Sequence, residues 1–254
     1  MQKKKKPEFI LVISGAKGMY ACVLKAIEEM GLKSSIKAIY GVSAGALTGA
    51  YWLSGWKADE VVQNYLNSEL FSLKNIALPP TQSLLKRSVV EKLLKKDLKK
   101  TFEQLEKPLI VGTTDLRKGK SVFFESGDLI KPVLSMSIPG VFSPIEYEKH
   151  LLVDGGVTDN FPIDYAKKQN PNAKIIGILL GKFKTNQKVK NILDTLMVSY
   201  EILLRRLNAT INKADILFYR NLSMSPFESN EKKLIQLFDQ GYHDGIATFS
   251  SLQK

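Results

Sequence analysis

Short apolar runs of strand length recur along the chain, separated by longer stretches with helical spacing. The first, "EFILVIS" at 8–14, is followed at once by Gly15, and "MYACVLKAIEEMG" at 19–31 comes next with apolar positions three and four apart and a closing glycine. That pattern predicts strand, tight turn and helix. "IKAIYGVSAGALTGAYWL" at 36–53 repeats it, with Ser43 at the junction. Further β-type runs lie at 108–115 ("PLIVGTTD"), 120–125 ("KSVFFE"), 150–156 ("HLLVDGG"), 174–181 ("KIIGILLG") and 215–220 ("DILFYR"). Strands alternating with helices imply an α/β fold, a three-layer α/β/α sandwich around a mostly parallel sheet covered on both faces. No internal repeat or low-complexity linker divides the chain. One domain over 1–254 is expected, with a basic tail at 1–7.

The stretch 54–107 differs, being helix-rich, lysine-rich and placed between two core strands, and reads as a helical cap insertion. Within "SVVEKLLKKDLKKTFEQL", Val90, Leu94, Leu98, Phe102 and Leu105 share one face of a helix, with Lys92, Lys95, Lys96 and Lys99 opposite. A core-facing helix with a solvated back is the expectation. A helix lying on a membrane surface is the alternative.

Composition narrows the classes. With 254 residues, 44% hydrophobic and 24% charged, the chain can bury a substantial core and does not resemble a disordered or fibrous protein. Its longest apolar runs fall well short of the roughly 20 residues that cross a bilayer. The apolar stretch behind the N-terminal lysines is too short for a signal peptide, so the mature chain is expected to begin near Met1. A single cysteine, Cys22, excludes an internal disulfide and a multi-cysteine metal site, which favours a reducing, cytoplasmic setting. Thirty-seven basic against 25 acidic residues give a net charge of +12, favouring an anionic partner. Zinc-finger spacing and RRM-type aromatics are absent, which makes nucleic acid an unfavoured partner and leaves an anionic membrane surface or an acidic substrate.

The chemistry concentrates at "GVSAG". A serine between Gly41 and Gly45, where a strand turns sharply into a helix, is the geometry that exposes a nucleophilic hydroxyl beside the positive end of a helix. Only two histidines could take its proton in a conventional triad. His150 lies four residues before Asp154, roughly 13 Å along a strand, so the two cannot serve one atom. His243 would suit an α/β-hydrolase, but only 40 residues precede Gly41, too few for the strands that fold places ahead of its elbow. Asp154 is the better base, because "LLVDGG" ends an apolar strand on an aspartate followed by Gly155 and Gly156, which permit a tight turn and close backbone approach.

These segments together resemble the patatin-like phospholipase family of Ser–Asp dyad lipid acyl hydrolases, over nearly the whole chain. "GVSAG" is similar to its nucleophile elbow and "DGG" to its aspartate motif. "TTDLRKGKSVFFESGD", "SMSIPGVFSPIE", "DNFPI", "ADILFYRNL" and "FDQGYHDG" are similar to its other segments, in the same order. The resemblance implies Ser43 as nucleophile and Asp154 as direct base, with an oxyanion loop at Gly15, Ala16, Lys17 and Gly18. That loop, "SGAKG", is about two glycines shorter than the family's usual run. The implied activity is a phospholipase A or lysophospholipase passing through an acyl-enzyme, without cofactor or metal, on a phospholipid or other acyl ester, with the protein peripheral to an anionic membrane. An acyltransferase or thioesterase using the same pair, or a catalytically silent lipid binder, are the competing readings.

Overall fold

The computed structural model describes residues 8–15, 20–67, 87–136, 143–181, 189, 192–206, 211–220 and 230–253. Among them eight strands form one sheet: β1 (Phe9–Ile13), β2 (Ile36–Val42), β3 (Leu109–Asp115), β4 (Lys120–Phe124), β5 (Ile145–Tyr147), β6 (His150–Asp154), β7 (Lys174–Leu180) and β8 (Ile216–Arg220). Alternation along the central strands explains why both faces are covered. In β1, Phe9, Leu11 and Ile13 join one core while Ile10 and Val12 join another, and in β7 Ile176, Ile178 and Leu180 oppose Ile175 and Leu179 in the same way. A strand apolar at every position has no solvent face, so helices must pack on both sides.

Eight helices are described: α1 (Tyr20–Glu29), α2 (Ala44–Leu53), α3 (Ala58–Asn67), α4 (Arg87–Asp97), α5 (Ile130–Leu134), α6 (Ile163–Gln169), α7 (Ile192–Arg206) and α8 (Glu231–Phe249). The larger core takes its side chains from α1, α2 and α8, among them Trp52, Tyr20 and Phe249. The α1 and α8 backbones meet closely enough that a Cβ on Gly245 would lie 2.8 Å from the Ala26 Cβ. The smaller core is closed by α6 through Ile163 and Ala166, with Phe161 just before it.

Along the sheet the order is β5-β6-β3-β2-β1-β7-β8, with β4 also on β3. β3, β2, β1, β7 and β8 are mutually parallel, and β4, β5 and β6 run antiparallel to their neighbours. The mostly parallel sheet read from the sequence is therefore present.

The described parts of 54–107 correct one detail. Val90, Leu94, Leu98, Phe102 and Leu105 are all buried, as a core-facing stripe requires, so this face is not free for a membrane. They do not share one helix. α4 stops at Asp97, where the Trp56 indole N–H donates to the Asp97 carbonyl at 3.1 Å. A 3₁₀ turn at Phe102–Gln104 then begins afresh at Thr101, whose amide donates to Gln104 Oε1 at 3.3 Å, so local side-chain hydrogen bonding displaces helical continuation. Residues 68–86 of the expected cap lie outside the described residues.

Candidate active site

One flank of β3 brings Ser43 and Asp154 together. β4 pairs with Val111–Asp115 on one side of β3, which leaves the other side to β2 along its first half and β6 along its second. β2 runs out at Val42 opposite Gly112, and β6, arriving in the opposite direction, runs out at Asp154 opposite Thr113. Adjacent residues of β3 are only ~3.8 Å apart, so the two strand ends abut. Residues 111 positions apart in sequence are placed next to each other by backbone register alone.

Ser43 occupies the turn between β2 and α2 with φ 52° and ψ −127°, a conformation non-glycine residues rarely adopt. The neighbouring glycines explain why the chain holds it. A Cβ on Gly41 would lie 2.6 Å from the Ala46 Cα, and one on Gly45 2.6 Å from both the Ile13 and Ser14 carbonyl oxygens. The helix is therefore folded back against its own strand and against the end of β1, and Ser43 is carried at the apex. It is partly exposed, and the first-turn N–H groups of α2, which have no intrahelical acceptors, begin beside it.

Asp154 is buried, at 1% exposure. Its main-chain oxygen accepts from Thr114 Oγ1 at 2.9 Å, and Thr114 in turn contacts Thr158 Oγ1 at 2.9 Å, so hydroxyls fasten the end of β6 to β3. The carboxylate Oδ1 accepts from the Gly156 amide at 2.8 Å. Oδ2 is buried without a partner at full hydrogen-bond geometry among the described residues, leaving an oxygen open to a proton. Burial pushes the carboxyl above the usual carboxylate range. The hydroxyl of Ser43, the Gly156 amide and the hydroxyl of Tyr200 pull it partly back.

Two side chains not singled out by sequence reasoning border this pair. Tyr200, on α7, brings its hydroxyl against Asp154, and burial first and the aspartate charge second push that phenol far above its ordinary range. Built as alanine, Gly156 would carry a Cβ 2.8 Å from the Tyr200 oxygen and 2.6 Å from Leu204 Cδ2, so α7 closes directly over the aspartate turn. Below it, Ser14 Oγ and the Tyr20 hydroxyl form a buried pair at 2.9 Å. Burial of Tyr20, above all, and then the charge of Asp154 push this phenol upward too.

Of the four residues expected in the oxyanion loop, Ala16, Lys17 and Gly18 lie outside the described residues. Gly15 does border Ser43, since a Cβ on it would lie 3.0 Å from the Ser43 Cβ and 2.6 Å from Asn160 Oδ1. Its amide, however, donates to the Asn160 carbonyl at 3.0 Å. Gly15 thus supplies room beside Ser43, while its own N–H is engaged by the Asn160 carbonyl. Asn160, within "DNFPI", is the residue that claims this amide.

The histidines lie elsewhere. His150 starts β6 and places Nδ1 2.8 Å from Asp115 Oδ2 in a buried pair, and this contact holds the Asp115 carboxyl below its ordinary range. His243 is exposed on α8. Among the described residues, no group of three or more His, Cys, Asp or Glu could hold a metal ion.

Comparison with known proteins identifies the family and the fold. The sequence profile of the family described as patatin-like phospholipase matches residues 14–167, which include both strand ends. An uncharacterized NTE family protein of Mycobacterium bovis is 30% identical over 154 residues, covering 59% of this chain and 42% of the relative. A probable lipid hydrolase of Invertebrate iridescent virus 6 is 28% identical over 191 residues, covering 64% of this chain and 65% of the relative. The chain thus spans less than half the length of the mycobacterial relative and about two thirds of the viral one. Among solved structures, VipD from Legionella pneumophila shares the fold with a TM-score of 0.57 at 13% identity, over 97% of this chain and 67% of that one.

Proposed function

Because the chain belongs to the patatin-like phospholipase family, we propose that it is a serine acyl hydrolase of membrane lipids, of phospholipase A or lysophospholipase type, working through a Ser43–Asp154 dyad. The observation that carries this reading is the shared flank of β3, where the strained apex Ser43 meets a buried aspartate with an open oxygen. The similarity to a probable lipid hydrolase of Invertebrate iridescent virus 6 supports the substrate class.

In the proposed reaction Asp154 removes the Ser43 proton as Oγ attacks the ester carbonyl carbon. Its raised pKa makes it a better base than an ordinary carboxylate. The developing oxyanion is met by the first-turn amides of α2, beside which it forms. Collapse breaks the bond to the alcohol oxygen, which takes the proton from Asp154, and leaves the acyl group on Ser43. Water then gives a proton to Asp154, attacks the acyl carbon and releases the fatty acid, with the proton returning to Ser43 Oγ. The positive net charge supports attachment to an anionic bilayer.

The test is mass spectrometry of products after incubation with mixed phospholipid vesicles, for the wild-type chain and Ser43→Ala. Fatty acid and lysolipid released by the wild type alone is the expected result. Equal release by Ser43→Ala would overturn the assignment, and fatty acyl groups moved to an added alcohol in preference to water would make it an acyltransferase.

A further inference from the structure

Seven large apolar side chains are exposed among the described residues, and five of them, Val189, Ile192, Leu196, Ile202 and Leu203, fall within 15 consecutive positions. Four belong to α7. At 100° per residue, Ile192, Leu196, Ser199 and Leu203 lie within about 60° of one another along the helix. Tyr200 and Leu204, which reach Asp154 and Gly156, lie roughly 60–100° further round the same helix. One helix therefore covers the base with one face and offers solvent an apolar stripe on the adjoining face. Among the described residues that stripe stays exposed, whereas the helix over 87–97, the other amphipathic candidate, turns Val90 and Leu94 inward.

We infer that α7 is the surface by which the protein docks on an anionic lipid bilayer, its apolar stripe entering the interface while its inner face lies over Ser43 and Asp154. The inference rests on the lipid acyl hydrolase reading above. Two observations favour a bilayer over a protein partner. The chain carries a net charge of +12, with Lys182, Lys184, Lys188 and Lys190 shortly before the helix in sequence, so an anionic surface is complementary to the protein. Three large apolar side chains on one helix face, Ile192, Leu196 and Leu203, also fall far short of the ~800 Å² per partner that a stable second copy needs, but suit an interfacial helix embedded to shallow depth. No described helix is long and apolar enough to cross the membrane. Docking in this orientation would bring lipid to the helix that shields the base, and Tyr200 would leave Asp154 as the helix shifts.

The test compares Ser43→Ala with Ser43→Ala/Leu196→Asp/Leu203→Asp for flotation with phosphatidylcholine vesicles, with and without phosphatidylglycerol. Expected is binding of Ser43→Ala that increases with phosphatidylglycerol and falls at least about tenfold in the aspartate variant. In the Ser43-intact background, Leu196→Asp/Leu203→Asp should keep hydrolysis of a water-soluble short-chain ester within about twofold. If the aspartates prevent folding, Leu196→Ser/Leu203→Ser replaces them. Undiminished flotation of a folded variant overturns the inference, as does an absence of flotation by Ser43→Ala. A concentration-dependent dimer dissolved by the variant, with flotation unchanged, assigns the stripe to a second copy and also overturns it. The hydrolase reading fails separately, if soluble-ester turnover survives Ser43→Ala.

Discussion

Gly155→Ala tests whether strand register, and not merely the presence of two residues, assembles the site. Gly155 follows Asp154 at the point where β6 ends on β3. A Cβ there would lie 2.7 Å from the Gly112 carbonyl carbon and 3.1 Å from the Thr113 amide nitrogen, and both are backbone atoms of the strand that carries the register. Neither can rotate away. To reach ordinary contact the aspartate turn must retreat by about 1 Å from β3, moving Asp154 relative to Ser43, which is held on the same strand one residue away. Overpacking of this kind costs about 1–3 kcal/mol, a fall in Tm of several degrees. A misplacement of about 1 Å at the reacting atoms costs roughly 100-fold in kcat/KM. Gly245→Ala is the control, since its Cβ would press on Ala26 between α1 and α8, remote from the dyad. Calorimetry and turnover of a soluble ester should show both variants destabilised but only Gly155→Ala impaired as a catalyst. If Gly155→Ala lowers Tm and keeps near-wild-type kcat/KM in its folded fraction, the register argument is wrong.

Other expectations follow from the buried carboxylate. Asp154→Asn keeps the acceptor for the Gly156 amide but should lower kcat/KM by about 10³-fold or more. Because burial raises the Asp154 pKa in the folded state, its ionised form opposes folding: that cost is absent below the unfolded pKa and complete above the folded one. Asp154→Asn should accordingly gain Tm over wild type at neutral pH and not at acid pH, and a variant less stable than wild type at neutral pH would refute this. Activity of the wild type should fall with decreasing pH at a midpoint above the ordinary carboxylate range. Tyr200→Phe removes a group that lowers the Asp154 pKa, so the acid limb of its kcat/KM profile should move to higher pH, and an unmoved limb would remove Tyr200 from the site. His150→Ala, which strips the partner from buried Asp115, should lower Tm, while His243→Ala, on an exposed face of α8, should change neither Tm nor turnover. Loss of turnover in a folded His243→Ala protein would restore a triad.

Much of this architecture is legible in the chain because the relevant signals are local. β1 is a continuous apolar run and β2 and β7 are apolar apart from Lys37 and Lys174, and the Gly41, Gly45 and Gly155 positions are readable as tight turns since each glycine does meet backbone. The end of α4 was not legible. Leu98, Phe102 and Leu105 continue a helical period by chance of spacing, while the turn that replaces the helix depends on Thr101 and Gln104 at its foot. The engagement of the Gly15 amide by Asn160 is a tertiary contact that no local pattern in the sequence announces. Tyr200 carried no usable signal either. It stands 46 residues beyond Asp154, in a helix whose apolar positions look like any core-facing stripe until their exposure is known.

The absence of a relay histidine from the proposed dyad has a topological cause. In a parallel sheet every strand ends on the same side, and neighbouring strand ends lie about 4.8 Å apart laterally, so a serine and a carboxylate on adjacent strands leave a gap that an imidazole can fill. Here β6 enters antiparallel along the line β2 has just vacated, and the two ends meet nose to nose at Gly112 and Thr113. In the proposed dyad no third group stands between them, and proton transfer is direct. Such a transfer favours a carboxylate of raised pKa, and burial raises that of Asp154. On the proposed mechanism the same helix bears on basicity and on substrate access: Tyr200 and Leu204 lie against the aspartate turn, so a movement of α7 would alter both together.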